Sequence, residues 1–308
     1  MKTRRGKGRW ICWLSIAVLA LVAPGILGEE PICDCARAGV LAFSSVRDGN
    51  SDIYVIHADG TNLLRVTAQE TRELEPCWSP DGSMIAYQSQ RPSWVIYAAN
   101  ADGTNELQVT NGLSWSPSWS PDGEAIAYSA GAAIHQVSLV SGAAELLTQG
   151  GTCGRPNWSP DGQSIAFHST RSGNNEIYIL RLEEGELKAI TNHAARDFLA
   201  SWSPDGQRLA FASDRDGDLD IYTIGVDGTD LLQLTNNDTD DLLPAWSPDG
   251  KWIAFVSERD GNAEIYLMQP DGSCGIRLTV NPGEDMYPSW KPIAEAADEP
   301  PASPPSGP

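Results

Sequence analysis

Five times the chain spells Trp-Ser-Pro-Asp-Gly: at Trp78–Gly82, Trp119–Gly123, Trp158–Gly162, Trp202–Gly206 and Trp246–Gly250. A sixth tryptophan, Trp290, is followed by Lys291-Pro292. Successive tryptophans stand 41, 39, 44, 44 and 44 residues apart. A recurring period of this length marks a fold assembled from like units. Each string leads into a short apolar stretch: Ile85-Ala86-Tyr87, Ile126-Ala127-Tyr128, Ile165-Ala166-Phe167, Leu209-Ala210-Phe211 and Ile253-Ala254-Phe255. An earlier copy, Leu41-Ala42-Phe43, has no such string ahead of it.

Working outward, most units continue alike. A Ser-x-Arg turn follows, then an Ile-Tyr stretch such as Ile53-Tyr54 or Ile221-Tyr222, then an Asp-Gly turn, then a stretch ending in Thr. Asp-Gly supplies the positive φ of tight hairpins. The short runs between turns are aromatic, β-branched and alternating, as half-buried strands require. Four such strands cannot bury both faces alone, whereas a ring of stacked units can. The expected fold is therefore all-β, a six-bladed β-propeller of four-stranded blades over residues 40–290. Blade one lacks a first strand and the C-terminus has a spare one, Tyr287-Pro288-Ser289-Trp290. That strand is expected to pair into blade one and close the ring. Blade three, residues 117–149, lacks the Ser-x-Arg turn and has Val137-Ser138 in place of Ile-Tyr, which reads as a drifted repeat or as a modified edge facing a partner.

The ends differ. Lys2, Arg4, Arg5, Lys7 and Arg9 precede an uncharged, mostly apolar run over residues 10–28. Residues 1–28 read as a secretory signal peptide or an N-terminal signal anchor, and both place the rest outside the cytoplasm, periplasmic or secreted. Residues 29–39 form a lead-in. Residues 291–308, rich in Pro, Ala and acid, are expected to be disordered. The chain has 21 Lys+Arg against 41 Asp+Glu, net −20, and removal of residues 1–28 with their five basic groups takes it to −25. Such a surface repels nucleic acid and anionic membrane, so membrane contact is expected only through an uncleaved segment 10–28. It suits a partner with a basic group. A monomer is expected.

The strings and their register with the Ile-Tyr stretches resemble the TolB-type propeller family over residues 40–290. The resemblance implies a periplasmic propeller that binds protein, as TolB binds a peptidoglycan-associated lipoprotein and colicins. It departs from that family in one respect: about ten residues separate the apolar segment from blade one, where TolB carries an α/β domain. The same repeat caps prolyl-oligopeptidase-type enzymes and builds some polysaccharide lyases, so the fold does not settle the function. Beside a binding module for a protein or cell-envelope component, two readings stay open: a polysaccharide lyase or hydrolase using the channel, and the ectodomain of an anchored sensor.

Residues for chemistry are few. No Gly-x-Ser-x-Gly elbow occurs, and His57, His135, His168 and His193 fall at unrelated repeat positions without metal-ligand spacing. No catalytic residue, metal site or cofactor is named, and an enzyme is not expected. Three turns, Asp48–Asp52, Asp216–Asp220 and Asp260–Glu264, resemble fragments of a calcium loop and otherwise read as hairpin turns. The recurring Arg47, Arg91, Arg171, Arg215 and Arg259 suit a structural task in every blade. One column is more telling. Five residues before each Trp stand Glu73, Ser114, Cys153, Asp197, Asp241 and Asp285, followed by Leu74, Trp115, Gly154, Phe198, Leu242 and Met286. With the Trp strand innermost, Glu73, Asp197, Asp241 and Asp285, with Trp115 and Phe198, would ring one channel mouth and bind a cation or basic group. The competing reading has each acid capping its turn. Outside the signal five cysteines remain, Cys33, Cys35, Cys77, Cys153 and Cys274, and a bridge from Cys274 to Cys33 or Cys35 would seal blade six to blade one.

Overall fold

A computed structural model describes residues 38–293. Blade one holds β1 (Val40–Ser45), β2 (Asp52–His57) and β3 (Leu64–Arg65); blade two holds β4 (Glu73–Trp78), β5 (Met84–Gln90), β6 (Trp94–Asn100) and β7 (Leu107–Gln108). Blade three holds β8 (Trp115–Trp119), β9 (Ala125–Ala130), β10 (Ala133–Ser138) and β11 (Ala144–Leu146); blade four holds β12 (Cys153–Trp158), β13 (Ser164–Ser169), β14 (Glu176–Arg181) and β15 (Glu186–Ala189). Blade five holds β16 (Asp197–Trp202), β17 (Arg208–Ser213), β18 (Asp220–Gly225) and β19 (Leu232–Gln233). Blade six holds β20 (Asp241–Trp246), β21 (Ile253–Ser257), β22 (Glu264–Met268) and β23 (Ile276–Arg277), and β24 (Asp285–Trp290) ends the series. All six sheets are antiparallel meanders, and β24 pairs with β1 through Leu41↔Trp290 and Ser45↔Asp285. The propeller, its blade count and its closure are as the repeat implied, and blade three is a complete sheet despite its altered turns.

The tryptophans explain why one unit cannot stand alone. Trp202 of blade five packs on Ala166, Ile177 and Ile179 of blade four, so each indole seals a seam between blades. Between the sheets lie Phe43, Tyr87, Phe167, Phe211 and Phe255, all essentially without exposure. Two local devices recur. The Asp of each Trp-Ser-Pro-Asp-Gly string accepts from the preceding Ser hydroxyl, at 2.6 Å for Ser79–Asp81 and 2.5 Å for Ser120–Asp122, which fixes the turn. The Thr ending each unit reaches back, its Oγ1 accepting the backbone N–H of Ile53, Ile96, Ile134, Ile177, Ile221 or Ile265 at 2.9 Å. The outermost strands are short, which limits edge-to-edge pairing.

The Trp-bearing strands β4, β8, β12, β16, β20 and β24 neighbour one another in a closed circuit and so form the wall of the channel. Each carries a bulge: the register with the next strand shifts between Leu74 and Cys77, between Gly154 and Asn157, and likewise in the other blades. The residue three before each Trp then takes a left-handed conformation, with φ of 55° at Glu75, 54° at Ser116, 51° at Arg155, 63° at Leu199, 58° at Leu243 and 61° at Tyr287. Such φ values are uncommon outside glycine and asparagine. A bulge re-aims side chains, and these six all lie in the channel lining.

Candidate functional site

The acid column does begin the inner strands, but it is sealed. Glu73, Asp197, Asp241 and Asp285 have no solvent exposure. Each meets the arginine of its own Ser-x-Arg turn: Arg91–Glu73 at 3.2 Å, Arg215–Asp197 at 2.9 Å, Arg259–Asp241 at 2.8 Å and Arg47–Asp285 at 2.8 Å. The same arginines lie over aromatic rings of their blade, as Arg215 does over Phe211 and Tyr222 at 5.5 and 4.5 Å. The column thus ties the outer turn to the inner strand by a desolvated, charge-assisted contact. An accessible acidic ring is not what the fold builds from these residues, because every carboxylate is buried and already neutralised. Trp115 lies opposite Ser129, and Phe198 lies opposite Ala212, its ring 6.3 Å from that of His168. The two remaining blades fit the same rule. Blade three lacks both the acid and the arginine, and Ser114 bonds Thr110 instead at 2.5 Å. In blade four Arg171 approaches the Cys153 sulfur at 3.4 Å.

A cavity lies toward the other end of the same strands. It has a volume of about 450 Å³ and is lined by residues of the Trp-Ser-Pro turns. Its rim carries Pro121, Pro160, Pro204, Pro248 and Pro292, and its throat is the bulge ring of Glu75, Ser116, Arg155, Leu199, Leu243 and Tyr287. Arg155 reaches across to Glu75, Nη2 to Oε1 at 3.0 Å, and lies 4.8 Å from the centre of the Tyr287 ring. His168 stands behind Gly154, where an added Cβ would meet its Nε2 at 2.6 Å. Burial, then the charge of Arg155, pushes its pKa down to about 4, so the ring is neutral at physiological pH. Sequence reasoning missed this throat. Its six residues share no chemistry, and a bulge built from non-glycine residues leaves no compositional mark.

The other candidates are placed as follows. The four histidines do not gather at one point: His57 is in β2, His135 in β10, His168 in β13, and His193 in the loop after β15. Of the three calcium-like turns, that of blade five brings Asp216, Asp218 and Asp220 oxygens within 4.8 Å of one another. In the corresponding turns of blades one and six an arginine answers the buried acid, Arg65 to Asp52 at 2.7 Å and Arg277 to Glu264 at 3.0 Å. Cys274 is disulfide-bonded, whereas Cys77 and Cys153 are free. The expected partners Cys33 and Cys35, the segment 1–28 and most of the tail lie outside the described residues.

Comparison with known proteins bears on this geometry. The family model for the TolB beta propeller domain matches residues 37–150 and 92–242. Tol-Pal system protein TolB of Desulfosudis oleivorans is 43% identical over 51 residues, spanning 17% of this chain and 12% of that protein. Among solved structures, TolB from Acinetobacter baumannii has a TM-score of 0.76 at 23% identity, covering 83% of this chain and 67% of that one. Putative TolB from Agrobacterium tumefaciens has a TM-score of 0.68 at 23% identity, covering 83% of this chain and 91% of that one. At such identity the structural likeness shows the shared fold.

Proposed function

Because the chain belongs to the TolB β-propeller family, we propose that it is an extracytoplasmic binding module that takes a protein or other cell-envelope component at the Trp-Ser-Pro mouth of its channel. The observation that carries this reading is the contrast between columns. The residues that hold the blades together recur from blade to blade, while the throat is Glu75, Ser116, Arg155, Leu199, Leu243 and Tyr287, six side chains of five kinds, at the floor of a cavity of about 450 Å³. A concave site with a few convergent polar groups among apolar ones is the usual form of a binding pocket. The expected mouth thus moves from the acid column to the other end of the same strands. The proposed binding calls for no cofactor, and export rests on the basic-then-apolar pattern of residues 1–28.

The test is capture from an envelope extract with the full chain and with Ser116→Tyr. Tyr287 occupies the same left-handed position in blade one, so the backbone accepts tyrosine there and the variant narrows the throat. A component held by the wild type and lost by Ser116→Tyr, but kept by the outer-edge variant Leu107→Ser, supports the reading. A component indifferent to Ser116→Tyr would place binding elsewhere. No captured component at all would move weight to the lyase or hydrolase alternative.

A further inference from the structure

The throat has a chemistry narrow enough to name the group that enters it, an inference that rests on the channel being the binding site. Glu75, Ser116 and Arg155 stand on blades two, three and four, while Leu199, Leu243 and Tyr287 stand on blades five, six and one. One half of the ring is polar and the other is apolar, with Leu199, Leu242, Met286 and Tyr287 packed around Leu243, Val256 and Ala263. On the polar half the ion contact of 3.0 Å between Arg155 Nη2 and Glu75 Oε1 is not aligned as a hydrogen bond. Nη2 of Arg155 and Oε2 of Glu75 are buried and have no hydrogen-bond partner among the described residues, while the side chains that carry them line the cavity and keep 24% and 14% of their surface open.

An unmade hydrogen bond at a buried charged atom costs the desolvation of that atom, so such pairs call for an explanation. Here one atom is a cationic donor and the other an anionic acceptor, on side chains that come from blades two and four and meet at 3.0 Å. The pair is neutral as a whole. A ligand group of single charge would satisfy one partner and leave the other facing a like charge. A group with a carboxylate for Arg155, an ammonium for Glu75 and an apolar substituent for the Leu199, Leu243 and Tyr287 side answers all three at once. His168, neutral behind Gly154, adds no further charge. We propose that the throat is a receptor for an amino acid with free amino and carboxyl groups and an apolar side chain. A cavity of about 450 Å³ has room for one.

Calorimetric titration of the full chain with L-leucine, N-acetyl-L-leucine and L-leucine amide tests it. Leucine is expected to bind saturably, and each blocked form on the order of tenfold more weakly, since each loses one charge-assisted bond. Arg155→Gln should erase the discrimination against the amide, and Glu75→Gln that against the N-acetyl form. Absence of saturable leucine binding, or equal binding of all three, overturns the inference on the wild-type protein alone, whatever the variants do. The two readings fail separately. Envelope capture that is lost in Ser116→Tyr, without leucine binding, keeps the channel and discards the amino-acid receptor. Discriminating leucine binding with capture indifferent to Ser116→Tyr does the reverse.

Discussion

Asp220→Asn is expected to stabilise the propeller at alkaline pH and to leave it nearly unchanged near pH 4. The Asp220 carboxyl has no solvent exposure. In blades one and six the residue across from the Ile-Tyr tyrosine is an arginine that answers the buried acid, but in blade five it is Gln233. Gln233 Nε2 donates to Asp220 at 3.2 Å and Thr235 Oγ1 at 2.8 Å, both neutral donors. Burial, and then the neighbouring Asp216 and Asp218, push the Asp220 pKa from 3.8 to about 7. A folded pKa above the unfolded one means that the proton is held more tightly in the native state. Stability is then greatest below about pH 4 and is lost as pH rises through about 7. A gap of about three units sets a ceiling of about 4 kcal/mol, and sharing of charge with Asp216 brings the expected gain to about 1–3 kcal/mol. Asparagine keeps an acceptor for Thr235 and turns an N–H toward Asp216. Urea unfolding of both proteins at pH 4 and pH 8 measures the effect, which in melting temperature is about 2–4 °C per kcal/mol for a domain of this size. A variant less stable than wild type at pH 8, or one whose effect is the same at both pH values, would refute the reasoning.

Three further outcomes follow from named contacts. Gln233→Arg brings to blade five the guanidinium that Arg65 and Arg277 supply elsewhere, and should add about 1 kcal/mol at pH 8, with the gain fading as pH falls through about 7 to 6, where Asp220, like the arginine-paired Asp52, takes up its proton; urea midpoints at pH 8 and pH 4 read it. Arg215→Ala leaves the unexposed Asp197 without its cation and should cost about 3–5 kcal/mol, whereas Arg181→Ala, whose pair with Glu186 is 59% exposed on both sides, should stay within about 0.5 kcal/mol; parallel thermal melts compare them. Gly103→Ala should cost about 2 kcal/mol or more, because φ is +82° and the new Cβ would stand 2.1 Å from the Val66 carbonyl oxygen; denaturant unfolding checks it.

The fold was legible because its signals are local. Pro-Asp-Gly and Asp-Gly name hairpins, alternating runs name strands, and a missing first strand beside a spare last one names the closure. The site was less legible for two reasons. Alternation says which residues share a face but not which end of the channel stays open, so the acid column read as a free mouth. One clue to its real task was present. Blade three, which lacks the Ser-x-Arg turn, also lacks the acid and carries Ser114, as it should if each acid exists to meet its arginine. The throat left no clue of that kind. Glu75, Ser116, Arg155, Leu199, Leu243 and Tyr287 adopt left-handed backbone that sequence preference assigns to glycine or asparagine. Their conformation is imposed by ladder pairing on both sides of the bulge.

In a ring of like units, a column that recurs performs a task every blade has, and a binding site lies where an inward-facing column stops recurring. Drift alone produces irregular columns too, so irregularity is weak evidence by itself. The stronger point is that two of the irregular positions answer each other. Arg155 and Glu75 lie two blades apart and meet at 3.0 Å in the channel lining. Either one alone would be a partly buried charge with no counter-ion, at a cost of several kcal/mol. Together they still gain little, because a buried ion pair is commonly no more stabilising than well-packed apolar residues of the same volume. Leu199 and Leu243 show that the same bulge accepts such residues. Stability therefore accounts for the pair being matched but not for its being there. A ligand that needs both charges accounts for both.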